Sequence, residues 1–418
     1  MLEELCSQIK YSPSPFLDWA GSGHDGISYK TDRDGNPNVF KLERNDDGLW
    51  LNENWASPDN RWNPDNEFIF VLPSKSLYFS LKYIEGVFVL IYSMANNFWQ
   101  KLNRPFTVLA SMANVTDWAF RQIIIETGRP DVFYTEFISC DGICAVGPEK
   151  FKGELYFEEN ERPIVVQFFT SNPEHMKRCA ELAVEMGFDG IDINMGCPDK
   201  SVEKQGAGAA LIKDPKLAQR IIKAAKEGAG SLPVSVKTRL GHSKIEIDTW
   251  IPSLLETGIA ALIVHGRTRK EMSAVPAHWD EIGKVTQMAK GSDTLIVGNG
   301  DVKDMNELRQ KANDYSLDGI MVGRGIFTNP WFFSENVEYA ERTPIERINL
   351  LIKHLNNFEK LWGSNKNFDT MKRFFKIYIN GWPACAGRPG AKDLRTKLME
   401  SKNLGEAIKI GENYLRTQ

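Results

Sequence analysis

The chain has 418 residues, of which 42% are hydrophobic and 25% charged, an ordinary composition for a globular protein. This composition excludes collagen-like, coiled-coil and disulfide-scaffold proteins, and the length predicts one large domain with one or two smaller ones. The net charge of −4 argues against nucleic acid, but residues 341–418 carry 15 Lys and Arg against 8 Asp and Glu, whereas residues 1–97 carry 8 against 14. A basic tail on an acidic body is typical of a module that binds a polyanion.

The six cysteines form no CxxC pair and show no metal-ligand spacing. We therefore expect a reduced, cytoplasmic protein without a metal site. The N-terminus lacks the pattern of a secretion signal. The apolar stretch 77–95 is interrupted by Lys82 and Glu85, so the sequence predicts no membrane span.

The first segment, residues 1–97, is acidic and rich in Asn, Asp and Trp, and it predicts at most short strands and turns. Three interpretations of this irregular extension compete. It is a small β-rich binding module, a disordered extension, or a spurious upstream reading frame. The third is motivated by Met94, because translation from that residue would give a leader of ordinary length before the next segment.

From residue 105 onward, short apolar runs alternate with helical patterns. The eight runs are 106–110, 132–136, 164–168, 190–194, 233–237, 261–265, 294–298 and 319–323. Apolar strands separated by helices predict a parallel sheet covered on both faces. Eight β/α units match a TIM (β/α)8 barrel over residues 98–338. A doubly wound open sheet is the alternative, but no Gly-rich dinucleotide turn follows the first strand.

In such a barrel, function lies at the carboxyl ends of the strands. Strand 3 ends in Gln167, an amide that can bind a ring edge carrying donors and acceptors. Strand 4 is followed at once by Cys197 between Gly and Pro, which makes this thiol a candidate nucleophile or general acid. The alternative for a single cysteine is a small buried apolar residue.

Strand 5 ends in Lys237, which is costly to bury unless it meets an anion or a polar ring. Strand 6 ends in His265, followed by Arg267, a candidate for substrate binding. By itself His265 could equally be a hydrogen-bonded core histidine.

Strands 7 and 8 end in the Gly-rich segments 298–301 and 322–325, the second of which contains Arg324. Glycines let the backbone approach a phosphate, and these two loops form the usual phosphate site of this fold. The alternative is that the glycines only make tight turns. Together the strand ends fit a ligand with a phosphate and a ring bearing carbonyls and nitrogens, such as flavin mononucleotide (FMN).

Residues 339–418 form a predicted helical domain, with amphipathic stretches at 345–361 and 370–378. Lys372, Arg373 and Lys376 share a helix face, which makes them candidates for binding a polyanion. A solvated surface is the alternative for any such charged run.

Together these residues resemble the tRNA-dihydrouridine synthase family over about residues 104–418. The matching segments, in family order, are LASMANVTDWAFR (109–121), TEF (135–137), VVQF (165–168), INMGCPDKSVEKQGAGAALIKDP (193–215), VSVKTRLG (234–241), VHGRTRKEMSAVPAHWDEI (264–282), VGNGDV (297–302) and MVGRGIFTNPWFF (321–333). The block 194–211 is highly specific to the family.

The resemblance implies a TIM barrel with a C-terminal helical domain, FMN as cofactor, NADPH or NADH as reductant, and tRNA as substrate for a monomeric enzyme. Reduced FMN would deliver a hydride from N5 to C6 of uracil, and Cys197, the family's catalytic cysteine, would protonate C5. Asn194 would orient the uracil. The implied FMN contacts are Ser111, Met112, Ala113, Gln167, Lys237, His265, Asn299, Gly300, Asp301, Gly323 and Arg324.

Two features depart from the family pattern. Ser111 stands where the family usually has Pro, and the segment 382–392 is longer than the usual connection. Two other functions compete with the leading one. The first is an FMN barrel acting on a small molecule, resembling dihydroorotate dehydrogenase, and the second is a non-catalytic RNA-binding protein. The basic C-terminal segment argues against the first, and the intact Cys197, Lys237 and His265 argue against the second.

Overall fold

The computed structural model describes residues 97–334, 342–379 and 390–417, together with the backbone of seven strands between residues 9 and 94. The chain divides into two compact units, residues 1–96 and residues 97–418. Among the described residues, no helix is both long enough and apolar enough to cross a bilayer.

The N-terminal unit contains two separate sheets. One has the strand order β1-β4-β3-β2 and the other β5-β6-β7. Its strands are β1 (Ile9–Lys10), β2 (Lys30–Thr31), β3 (Pro37–Asn45), β4 (Gly48–Trp55), β5 (Phe68–Val71), β6 (Leu77–Ile84) and β7 (Val87–Met94). The longest of these strands, β3, has nine residues, whereas the sequence predicted only short strands. Apolar residues alternate along segments such as 77–84, which favours strands of this length. The role of this unit stays a prediction.

Eight parallel strands form the core of the second unit, which confirms the predicted barrel. They are β8 (Phe106–Leu109), β9 (Phe133–Ser139), β10 (Ile164–Phe169), β11 (Gly190–Met195), β12 (Val234–Arg239), β13 (Ala261–His265), β14 (Leu295–Asn299) and β15 (Gly319–Val322). They are ordered β8-β15-β14-β13-β12-β11-β10-β9. A bridge between Val108 and Val132 links the two ends of this order.

Helices follow the strands and cover the sheet. They are α1 (Trp118–Thr127), α2 (Cys140–Val146), α3 (Lys152–Leu155), α4 (Pro173–Glu185), α5 (Lys200–Lys204), α6 (Pro215–Ala229), α7 (Ile247–Leu255), α8 (Trp279–Met288) and α9 (Met305–Asp314). Short 3-10 helices lie at Phe98–Lys101, Pro148–Phe151, Glu159–Glu161, Gly208–Lys213, Arg324–Phe327 and Phe368–Met371. Typical start signals are present, since α4 begins at Pro173 after Asn172, whose side chain accepts a hydrogen bond from the N–H of Glu174.

Every second side chain of a strand points into the barrel, so the inward side chains form layers across its interior. Apolar side chains at inward positions, among them Val165, Ile263 and Val297, form one buried cluster. Two residues further along, the same faces carry Gln167, His265 and Asn299. The alternation of a strand therefore points the polar strand-end residues to the same side as the barrel core.

The helical region consists of α10 (Pro344–Trp362), α11 (Lys372–Ile379), α12 (Ala391–Glu400) and α13 (Leu404–Arg416). His354 of α10 is buried, lies against Phe120 of α1 with ring centroids 5.5 Å apart, and shares a 2.9 Å hydrogen bond with the Tyr378 hydroxyl. The region thus packs directly on the barrel. The predicted boundary at 338/339 and most of the unusual segment 382–392 lie outside the described residues.

Candidate active site at the carboxyl ends of the barrel strands

The sheet register brings the predicted strand-end residues together. Asn194 pairs with Lys237 across β11 and β12, and His265 pairs with Asn299 across β13 and β14. Asn299 is buried, and its amide donates to the Met321 carbonyl at 2.8 Å. Side chains distributed over some 105 residues of sequence, from Asn194 to Asn299, therefore line one mouth of the barrel.

A buried chain of hydrogen bonds runs through the barrel interior to this mouth. Asp192 is fully buried and accepts hydrogen bonds from Ser235 at 2.6 Å, from Gln167 at 2.7 Å and from the Tyr134 hydroxyl at 3.3 Å. Gln167 in turn accepts from the amide of Asn194 at 2.9 Å. Because Asp192 only accepts when ionised, it sets the orientation of the Gln167 amide and, through it, that of Asn194.

Asn194 and its neighbours shape the loop that carries the cysteine. The side-chain oxygen of Asn194 accepts from the backbone N–H of Gly196 at 3.1 Å and of Cys197 at 2.8 Å. Arg239 is buried and donates to the Gly196 carbonyl at 2.7 Å. Gly208 has φ +60°, and an added Cβ there would lie 2.8 Å from the Cys197 carbonyl, so the small-residue segment packs closely over this loop.

Cys197 is a free thiol, partly accessible to solvent. It packs against the buried cluster of Phe169, Val202 and Ala207, and burial raises the pKa of the Cys197 thiol above its ordinary value of 9.0. The thiol therefore holds its proton at neutral pH, as a general acid must, and is not pre-ionised as a nucleophile would be.

Lys237 lies beside Asn194 in the sheet register, on the strand next to the one that leads into Cys197. The pKa of Lys237 is lowered to about 8. Burial is the largest cause and the charge of Arg239 adds to it, whereas the charge of Asp192 opposes the shift. Within the part of the chain that the structure describes, Lys237 has no hydrogen-bond or ion-pair partner. A partly buried cation without a partner is costly, which favours a polar or anionic ligand beside it.

Positive charge also surrounds His265. Burial lowers the pKa of His265 well below its ordinary value, and Lys237, Arg239, Arg267 and Arg324 lower it further. The imidazole is therefore neutral. Since the guanidinium of Arg267 can only donate, its 3.2 Å contact with Nε2 assigns the imidazole proton to Nδ1, which is a donor for a ligand.

Arg267 is buried, and its donors are engaged within the protein. They bond to the Val275 carbonyl at 2.5 Å, to His265 and to Asp301. The exposed Arg324 lies 3.5 Å from the same Asp301 carboxylate. Through these contacts Arg267 can hold His265 and Asp301 in place. Its role in substrate binding stays a prediction.

Two further features suit a bound ligand. An added Cβ at Gly323 would meet only Ala110 at 3.6 Å and the Met112 sulfur at 3.9 Å, so protein packing does not demand glycine there. The Ser111 hydroxyl oxygen is buried, with no hydrogen-bond partner among the residues that the structure describes. Both lie beside the mouth, where Gly300 and the exposed Ala113 also belong to the predicted set.

The basic residues of α11 fall into two kinds. Arg373 and Lys376 are exposed one turn apart, and neither has a hydrogen-bond or ion-pair partner among residues 97–334, 342–379 and 390–417. Lys372 is half-buried and pairs with Asp369 at 2.8 Å. The available positive surface of this helix is thus Arg373 with Lys376.

Sequence reasoning missed three residues of the site. Asp192 carries a signal that was available, a carboxylate inside an otherwise apolar strand, and burial raises its pKa to about 6. Arg239 was visible as a charge at a strand end. Glu136 carries the same signal within β9, but its partners could not be foreseen, because they come from the loop before α1 and from beyond α10.

Fold and site together define a parallel β/α barrel whose mouth combines a protonated cysteine with a cluster of cations. The family model described as Dihydrouridine synthase (Dus) matches residues 108–417. The chain belongs to this family, as the resemblance predicted. The dihydroorotate dehydrogenase-like alternative is not favoured.

Individual relatives agree with this assignment. The "Probable tRNA-dihydrouridine synthase" of Staphylococcus aureus (strain COL) is 43% identical over 326 residues, covering 77% of this chain and 96% of that protein. The "Probable tRNA-dihydrouridine synthase 2" of Bacillus subtilis (strain 168) is 41% identical over 328 residues, covering 77% and 98%.

Solved structures show a more distant likeness. Histamine dehydrogenase from Rhizobium sp. 4-9 has 12% identity and a TM-score of 0.43, covering 60% of this chain and 48% of that chain. Morphinone reductase has 11% identity and a TM-score of 0.36, covering 54% and 84%.

Proposed function

We propose that this protein reduces the C5=C6 bond of uridines in tRNA, with FMN as cofactor and NADPH or NADH as reductant. The observation that carries the proposal is the sheet register, which through Asn194 brings the protonated Cys197 thiol and the Lys237 ammonium, unpaired among the described residues, to the same barrel mouth. One is a proton donor, and the other is a site for a polar ring. Family membership and the relatives' names support the choice of substrate.

The residues present fit FMN. Lys237, the Nδ1–H of neutral His265 and the buried Ser111 hydroxyl offer donors for a ring with carbonyls and nitrogens. Gly323 and Arg324 would hold the phosphate, where a missing Cβ leaves room and a guanidinium adds charge. Roles for Met112, Ala113, Gln167, Asn299, Gly300 and Asp301 are part of the same proposal.

When bound, reduced FMN supplies the hydride that adds to C6 of the uracil. Cys197 donates its proton to C5, which completes the addition of two hydrogens across the double bond, and the resulting thiolate takes a proton from water. Asn194 keeps the cysteine loop in place and has one amide N–H left for the uracil, since the other bonds to Gln167. The cationic surroundings stabilise the negative charge that develops on the ring.

The target base must leave the tRNA fold to reach this mouth, which costs a few kcal/mol. Arg373 and Lys376 on α11 would offset that cost by binding tRNA phosphates. Lys372, paired with Asp369, would add less. A cytoplasmic location and a monomeric state stay predictions.

Two experiments test this proposal. The purified protein should carry a yellow flavin spectrum, and Lys237→Met should weaken FMN binding at least about tenfold, whereas the matched change at exposed Lys223 should not. Transfer RNA from a strain that lacks the gene should miss dihydrouridine at defined positions. A colourless protein that cannot bind FMN, or unchanged tRNA, would contradict the proposal.

A further inference from the structure

A buried cluster of charges joins the helical region to the barrel next to the predicted flavin loop. Lys366, which lies between α10 and the 3-10 helix at 368–371, places its ammonium 3.5 Å from Asp117 and 3.5 Å from Glu136. The same ammonium lies 4.2 Å from the ring centroid of Trp362. Its side chain is 13% exposed, and those of the two acids are 6% and 5% exposed, so water screens these contacts little.

The two acids have separate structural tasks. Asp117 begins α1 by accepting from the N–H of Phe120 at 3.1 Å, and its other oxygen accepts from Trp362 at 2.8 Å. Glu136 accepts a hydrogen bond from the backbone N–H of Asn114. Asn114 has φ +55° and directly follows residues 111–113, the loop proposed to hold flavin. Asn adopts this left-handed conformation more readily than most residues, and the Glu136 hydrogen bond ties the loop to β9 in addition to the 2.9 Å bond from the Met112 N–H to the Thr116 hydroxyl within the loop.

We propose that Lys366 and Glu136 are positioning residues for the flavin loop. Lys366 holds the Glu136 carboxylate, and that carboxylate holds the backbone of Asn114. The proposal rests on the proposed function, because it assumes that residues 111–113 contact FMN. It adds that a residue of the C-terminal helical region helps to set the geometry of the cofactor site.

The charges around Glu136 make this arrangement sensitive to pH. The pKa of Glu136 is raised to about 7. Burial is the largest cause, and the charges of Asp117 and Glu154 add to it, whereas Lys366 and the Asn114 N–H oppose it. An ionised acceptor forms a stronger hydrogen bond than a neutral one. Protonation of Glu136 as the pH falls through about 7 should therefore loosen the loop and weaken FMN binding.

The test is FMN affinity of the apoprotein, followed by flavin fluorescence from pH 5.5 to 8.5. Glu136→Gln mimics the protonated acid and serves as the reference, because the titration of the FMN phosphate then cancels in the ratio of affinities. Wild type should bind about fivefold more tightly than E136Q at pH 8 and equally well below pH 6. Without Lys366, Glu136 ionises less readily. The affinity of Lys366→Met relative to E136Q should therefore rise only at a higher pH than that of wild type. Lys366→Arg should return this rise to the wild-type pH.

Lys353→Met is the matched control, because Lys353 pairs with Glu126 at the same junction but away from the loop. Its FMN affinity should equal that of wild type. If K366M proves unfolded, the comparison of wild type with E136Q still decides. A ratio that stays constant across pH overturns the inference while leaving the proposed function intact. Failure of wild type to bind FMN at any pH overturns both.

Discussion

Replacing Asn194 by Ala should disable the cysteine loop without emptying the barrel mouth. The Asn194 side chain makes three hydrogen bonds, to the N–H groups of Gly196 and Cys197 and to Gln167. Each is worth about 1 kcal/mol, and the buried Gly196 N–H would be left unsatisfied. If the productive loop conformation loses about 3 kcal/mol of stabilisation, the reduction of tRNA should be about 100-fold slower. If water replaces part of the lost contacts, it should be about tenfold slower.

The assay is a single turnover. The flavin is reduced first, tRNA is added, and reoxidation is followed by absorbance. Ser201→Ala is the control, since it removes only the exposed hydroxyl contact from Ser201 to Asp199, on the segment that follows Cys197, and keeps the backbone bond between them. FMN affinity is measured for both variants. If N194A reoxidises within threefold of wild type while binding flavin normally, the proposed positioning of Cys197 by Asn194 is wrong.

Three further predictions concern acid chemistry, stability and RNA binding. Cys197→Ala should slow single-turnover reduction of tRNA about 100-fold or more, because the thiol that donates the proton is gone. Wild type should keep its thiol proton throughout pH 6–8. Equal rates for the variant and wild type would contradict this. Because the pKa of Asp192 is raised from 3.8 to about 6, wild type should lose stability as the pH rises through that window. The free energy of unfolding of Asp192→Asn minus that of wild type, measured in urea, should therefore rise by about 2 to 3 kcal/mol from pH 4 to 7, whatever its value at pH 4, and a constant difference would count against it. Replacing Arg373 and Lys376 by Ala should lower the slope of log tRNA affinity against log salt by about 1.5, and Lys372→Ala should change it less; an unchanged slope for the double variant would refute contact with the RNA backbone.

The barrel could be predicted because its strands are local in sequence. Each apolar run is followed by a helical pattern, and the eight predicted runs coincide with the eight observed strands to within a few residues at each end. The strand-end position of Cys197, Lys237 and His265 followed from the same periodicity, since a parallel barrel exposes those ends together. The turns proposed to hold the phosphate were visible as glycine-rich segments.

The contacts between distant elements could not be predicted in this way. Lys366 meets Glu136 across some 230 residues of sequence, and nothing near either residue shows the pairing. The chain from Asp192 through Gln167 to Asn194 depends on strand register, which a single strand does not reveal. Arg267 illustrates the same limit, because its sequence position does not reveal its hydrogen bonds to the Val275 carbonyl and to Asp301.

The most direct test of the account is the mass of a tRNA. A tRNA transcript without modifications is incubated with the purified protein, FMN and NADPH, then digested and examined by mass spectrometry. The account predicts a gain of two hydrogen atoms at one or more uridines, and a loss of that gain in Cys197→Ala under conditions where FMN still binds. Oxidation of NADPH by flavin-loaded protein with no change in the mass of the tRNA would contradict it.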